Sequence, residues 1–357
     1  MAQRNRVRNF ANKLKDKASL IAASLSFNRH VSSIHVHVIR ATTHALAATP
    51  SESTIAAVLN VGRGRQQQFQ RACIDALMER LHRTRSASVA MKCLFTLHNV
   101  VVKGPMTLKD QLSYYPSYGG HNFLNLSTFR DDSDVESVEL SSWVRWYAVV
   151  IEQCLTVSRI LGYYLHLSLN EQDHNTHERK ASFFRLSNAD LLYKIEGLIL
   201  FVEQVSLVPE SLHLQRKDLV YEVVKLVRED YRSAQHEILL RIQELGKRIE
   251  DLDVGELNEL VGYLQRLEES KEKLLLLFVN KIKYNGFWDL VKEIKKKGLE
   301  MKKEIEGKWL TVVTSKNTEL TRSTNPFLEP GQIVLVPPLR IFTFELEVRC
   351  FMIEVET

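Results

Sequence analysis

Only four cysteines, Cys73, Cys93, Cys154 and Cys350, occur in 357 residues, and no two of them form a C-x-x-C pair. That scatter argues against a disulfide framework or a zinc site and fits a reducing compartment, with the cytosol as the expected one. No apolar run reaches the 18 or more residues of a membrane span; the densest patches, Leu198 to Val202 and Leu274 to Val279, are too short. A membrane, if met, is met at its surface. Catalytic signatures are missing as well: there is no G-x-x-x-x-G-K-[ST] loop, no G-x-S-x-G elbow and no H-E-x-x-H. Gly62-Arg63-Gly64-Arg65 lacks the strand and helix that a dinucleotide site needs, so neither an enzyme nor a cofactor is expected. Strand-like alternation is also rare, and no internal repeat of fixed period is evident.

Acid is nearly absent from one place. Residues 1 to 40 hold Arg4, Arg6, Arg8, Lys13, Lys15, Lys17, Arg29 and Arg40 against Asp16 alone, a balance of +7 where the whole chain carries +5. The other 317 residues therefore sum to −2. Such asymmetry points to local contact with an anionic partner. The rest of the composition, 45% hydrophobic and 25% charged, is that of an ordinary globular chain.

Apolar residues recur every three or four positions near 4–25, 32–47, 66–83, 86–103, 139–166, 184–206, 215–252, 255–284 and 287–307, which predicts an almost wholly helical protein. The longest stripe runs Leu219, Val223, Val227, Tyr231, Ala234, Ile238, Ile242, Leu245, Ile249 and Leu252, and reads as core along one helix. Pro105, Pro116, Gly119 and Gly120 mark a loop, and His166 to Lys180 reads as a polar connection between two helical blocks. After Lys308 the periodicity stops, so a tail is expected from about 309 to 357. Near its end, residues 341–356 alternate like a lone strand.

Three stretches carry a resemblance to a known family. Val89-Ala90-Met91-Lys92-Cys93-Leu94-Phe95-Thr96-Leu97-His98 resembles the central buried helix of the ANTH domain, the clathrin-assembly-protein branch of the ENTH superhelical modules. Asn122 to Ser133 resembles its loop-to-helix corner, and Val38 to Ser53 its phosphoinositide motif. That motif runs Lys, nine residues, Lys, any residue, Lys or Arg, then His or Tyr. On this chain the four positions are Arg40, Pro50, Glu52 and Ser53, so only the first keeps its charge.

The resemblance is to plant-type clathrin assembly proteins. It implies an all-α, right-handed superhelical solenoid: an ENTH-like core over 28–166, a long-helix extension over 180–308 and a short irregular tail. It also implies an endocytic adaptor, peripheral on coated pits and vesicles and on the Golgi, with phosphoinositide membrane, clathrin heavy chain and a vesicle SNARE as partners. No nucleic acid is expected.

The segment 1–27 reads as a basic amphipathic helix. Val7, Phe10, Leu14, Ile21 and Leu25 share one face, with Arg4, Arg6, Arg8, Lys13, Lys15 and Lys17 largely around it. Such a helix can lie in a membrane interface, sit as a solvated basic helix on the core, or be an organellar transit peptide. Family members use an N-terminal amphipathic helix in the first way. For a lipid headgroup, His37, Arg40 and His44 stand three and four residues apart, as if on one helix face, and Arg40 offers the fixed donor fork that phosphate prefers. Two imidazoles without a third ligand do not make a metal site.

In the tail, Asn325-Pro326-Phe327 matches the ligand of EH domains, in a setting where Asn-Pro favours an exposed turn. Asp190-Leu191-Leu192 is similar to a clathrin contact but falls in a helical window, which favours core. The lysines between Lys292 and Lys308, interspersed with four Glu, read as a solvated face. The competing account is a soluble helical scaffold without lipid selectivity.

Overall fold

The structure, a computed structural model, describes residues 2–24, 29–45, 49–61, 67–115, 123–167, 185–278 and 285–320. Eleven α-helices and three short 3-10 turns make up the regular structure among these residues, and no strand is found among them. The helices are α1 (Ala2–Ser24), α2 (Arg29–Ala41), α3 (Glu52–Val61), α4 (Gln67–Arg83), α5 (Ala87–Lys103), α6 (Met106–Ser113) and α7 (Val135–Leu161). They continue as α8 (Asn188–Ser206), α9 (Asp218–Lys247), α10 (Val254–Leu277) and α11 (Asn285–Leu320). Residues 1–305 form one compact unit. A second unit begins at Glu306 and is helical as far as Leu320.

Each helix packs on near neighbours in the chain, α1 on α2, α2 on α3 and α4, α4 on α5, α5 on α7, α7 on α8, and α8 on α9 and α10, which gives a solenoid-like all-α array. The centre is α5, where every residue from Ala87 to Val101 is buried. A helix that is covered all round must satisfy its own polar side chains internally. His98 does so between Tyr147 (Nδ1 to Oη, 2.8 Å) and Asp230 (Nε2 to Oδ2, 2.7 Å), tying α5 to α7 and α9.

The corner before α7 has a physical basis. Asp131 is buried; its Oδ2 accepts the Ala87 N–H that opens α5 at 2.8 Å and its Oδ1 accepts the Ser133 N–H at 3.1 Å. One carboxylate thus caps a helix 44 residues away. Asp134 then caps α7 by accepting the Ser137 N–H at 2.8 Å, and Gly162, at φ 85°, ends α7 in the left-handed region that favours glycine. Asp253 and Glu256 form a reciprocal capping box at the start of α10.

Several boundaries differ from the periodic reading. The short helices α3 and α6 carry too few turns to stand out as a periodic stripe. The stripe from Leu219 is buried throughout, but α9 stops at Lys247, and Ile249 and Leu252 reach the core from a 3-10 turn and the loop after it. Helix α11 runs to Leu320, past Lys308, because extending a formed helix is far easier than starting one, even through β-branched residues. Asn325, Pro326 and Phe327, residues 341–356 and Cys350 lie outside the described residues. Leu191 and Leu192 are buried in the first turn of α8, behind the Ser187 cap, as core. Lys296 and Lys297 pair with Glu300 and Glu293 on the exposed face of α11.

Candidate membrane-facing site

Helix α1 turns its apolar side outward. Phe10, Leu14 and Ile21 fall within about 40° of one another at 100° per residue, and they are 65%, 52% and 62% exposed. Lys13, Lys15 and Lys17 are exposed on the same helix. Arg4, Arg6 and Arg8 lie on its first turns, with side chains outside the described set. The half-buried residues are instead Asn12, Asp16, Ser19, Leu20 and Ala23.

The seat for this helix is mostly polar. Asp16 accepts the His44 ring N–H (Nδ1 to Oδ1, 2.6 Å) and the His44 backbone N–H (3.1 Å to Oδ2). Asn12 donates to the His44 carbonyl at 3.5 Å, and the Ser32 hydroxyl donates to the Ala23 carbonyl at 2.7 Å. The Arg80 guanidinium stands 3.8 Å from Asp16 and donates to the Thr42 hydroxyl and carbonyl at 2.9 and 3.0 Å. Lys92, 1% exposed, donates from α5 to the carbonyls of Thr43 and Ala45 at 3.0 and 2.6 Å. Burial lowers the Lys92 pKa to about 8, against the Asp16 charge that raises it.

These cations also explain where α2 ends. By drawing the Thr42, Thr43 and Ala45 carbonyls onto side chains they stop the helix at Ala41. His44 therefore does not share a helix face with His37 and Arg40, and its imidazole holds α1 instead of facing outward. Arg40 is exposed in the last turn of α2, and His37 is half-buried one turn before it. Across the loop, Glu52 and Ser53 are exposed at the start of α3, where Glu52 complements the helix dipole, and Pro50 is half-buried.

A cleft of about 1200 Å³ lies beside α1. Ala11, Ala18 and Ala22 line its α1 wall, with Val38 and Ile39 from α2. Its charged lining is Lys15, Arg80, Arg83 and Arg85 against Glu79 and Asp131, with His35 and Ser133 also facing it. Arg83 pairs with Glu79 at 2.8 Å, while Lys15 and Arg85 are exposed. Arg83 and Arg85 were missed by the sequence reading because they lie more than forty residues from the motif at Arg40. The signal was present in Arg80-Leu81-His82-Arg83-Thr84-Arg85, at the junction of α4 and α5.

Among the described residues no group of three His, Cys, Asp or Glu could hold a metal, and no helix is long and apolar enough to cross a membrane. Burial pushes the thiols of Cys73 and Cys93 up to about 12, which makes them packing residues.

The fold is an all-α, solenoid-like array that opens on a basic helix with an outward apolar stripe. The family model for the ANTH domain matches residues 33–209. Three Arabidopsis thaliana proteins, each named "putative clathrin assembly protein", are similar over most of their length. They are 38%, 30% and 27% identical over 81%, 79% and 79% of this chain, covering 81%, 83% and 96% of their own. The chain belongs to the ANTH-domain family, whose members are non-catalytic adaptors that work at membranes. The family match begins at Ser33, after α1.

Proposed function

We propose that this protein is an endocytic adaptor that docks on anionic, phosphoinositide-containing membrane through α1 and helps recruit or assemble clathrin coats. The observation that carries this is the orientation of α1: its polar residues are spent on the seat at His44, and Phe10, Leu14 and Ile21 face outward beside Lys13 and Lys17. In water such a stripe is a liability; in a membrane interface it is buried while its lysines stay with the headgroups. Each basic residue near an anionic leaflet adds about 1 kcal/mol, so the six on α1 supply up to ~6 kcal/mol before screening.

Headgroup contact falls to Arg40 and His37 at the end of α2 and to Lys15, Arg83 and Arg85 around the cleft. His44 acts indirectly, by holding α1. The segment 1–27 is the anchor, 28–166 the core, 180–308 the extension, and 309–357 a tail whose Asn325-Pro326-Phe327 recruits EH-domain proteins. Clathrin heavy chain is the coat partner, by analogy with the name its relatives carry, and a vesicle SNARE is the cargo expected on the helical surface. The working location is the cytoplasmic face of coated pits and vesicles, including those of the Golgi.

One observation favours a weaker selectivity. Pro50, Glu52 and Ser53 replace two cations and a ring donor of the family motif, which removes about 2 kcal/mol of attraction and about thirtyfold in affinity. Co-sedimentation with liposomes of equal charge, made with phosphatidylserine or phosphatidylinositol 4,5-bisphosphate, tests the proposal across a salt series. Binding with preference for the bisphosphate supports the headgroup site. Equal binding that fades with salt leaves a basic anchor alone, and no binding to either overturns the membrane role in favour of a soluble scaffold.

A further inference from the structure

We propose that Ser133 is a phosphorylation site for an acid-directed protein kinase, and that its phosphate occupies the cleft beside α1 and shuts out anionic headgroups. This rests on the headgroup reading above for its consequence, though not for the modification itself. Ser133 is exposed and lines the cleft. Around it stand Asp131, Asp132, Asp134 and Glu136, so carboxylates occupy the positions two and one before it and one and three after it. Two of them are committed to backbone: Asp131 caps α5 and Asp134 caps α7. The other two face outward, Asp132 beside Arg130 on the surface and Glu136 3.2 Å from Lys217, where the basic substrate groove of such a kinase can reach them.

The chemistry uses MgATP as phosphoryl donor. The Ser133 Oγ–H bond breaks and an Oγ–P bond forms, while the bond from the γ-phosphorus to the bridging oxygen breaks to release ADP and a proton. The product sits on a prepared surface. Lys15, Arg80, Arg83 and Arg85 outnumber Glu79 and Asp131 in the lining, and with Asp16 3.8 Å from Arg80 a surplus of one positive charge remains. A phosphoserine brings about −1.5 to −2, which outweighs that surplus. An anionic headgroup approaching the same cleft would then meet no net attraction, and the phosphate would compete for the forked donors of Arg83 and Arg85. The dianion also lies just before the first turn of α7, where the helix dipole favours it.

The test uses the full chain treated with an acid-directed kinase and MgATP, beside Ser133→Ala treated in the same way. One phosphate mapping to the peptide that contains Ser133, absent from the alanine variant, is expected. Affinity for bisphosphate liposomes should fall about tenfold in the treated wild type and stay unchanged in treated Ser133→Ala. Phosphate found only at other sites overturns the proposal, as does a fully modified Ser133 with unchanged bisphosphate binding. If the unmodified chain shows no preference for the bisphosphate, the headgroup reading fails by itself. Phosphorus NMR of the modified chain then decides the cleft: phosphoserine titration depressed in wild type and restored in Arg85→Gln upholds occupancy, and identical titration in the two contradicts it.

Discussion

Asp16 on α1 grips His44 twice, by its ring at 2.6 Å and by its backbone N–H at 3.1 Å. The second contact does not depend on the imidazole, so the carboxylate seats α1 on a loop that Lys92 and Arg80 already hold from below. Asp16→Ala should release α1 while leaving the helical array intact. Hydrogen exchange over residues 2–24 is expected to speed up at least tenfold, with the melting temperature of the body lowered by no more than ~2 °C. Unchanged protection over α1 would mean that its other contacts with α2, the Ser32 to Ala23 hydrogen bond among them, suffice.

Charge reversal at the cleft should separate the two candidate headgroup contacts. Arg85→Glu and Arg40→Glu each exchange an attraction of about 1 kcal/mol for a repulsion of the same size, roughly thirtyfold in affinity if the residue meets the headgroup. Measured on bisphosphate liposomes, a large loss for Arg85→Glu with a small one for Arg40→Glu would assign the headgroup to the cleft, and the reverse would assign it to the remnant motif.

Lys92 is the buried post of the seat, and Lys92→Met should cost about 2–4 kcal/mol. It leaves the Thr43 and Ala45 carbonyls without their donor inside the protein. Urea unfolding would read this as a lower midpoint at unchanged slope.

His166 supplies a pH dependence. Burial, aided by the Lys109 charge, lowers its pKa to about 4, against 6.5 when unfolded. Between those values the unfolded chain binds the proton and the folded chain does not, so stability is full above pH 6.5 and falls as pH drops towards 4. The loss is roughly 3 kcal/mol. His166→Asn should flatten that part of the curve in urea titrations at pH 7 and pH 4.5; an equal decline in both proteins would place the acid sensitivity elsewhere.

Long amphipathic segments were legible from spacing alone, because a buried stripe such as Leu219 to Leu245 repeats over many turns. The all-α class and the family followed from that periodicity and from the Val89–His98 and Asn122–Ser133 stretches. What was not legible depends on contacts distant in sequence. The end of α2 is set by Arg80 and Lys92, whose contacts there span 38 to 49 residues of sequence, so spacing alone carries the helix six residues too far and puts His44 on its face. The cleft joins Lys15 to Arg83 and Arg85, which no local spacing connects. Phe10, Leu14 and Ile21 share one face of α1, but that this face points outward follows only from Asp16 meeting His44.

The central claim is that the outward stripe of α1 anchors the protein to membrane. Phe10→Ser with Leu14→Ser removes two exposed apolar side chains that take no part in the core, so the fold should be unaffected. Flotation with anionic liposomes is the direct measurement. The double variant should lose at least tenfold in affinity, since each side chain contributes on the order of 1–2 kcal/mol when buried, with its melting temperature unchanged. Wild-type affinity in a folded double variant would contradict the account.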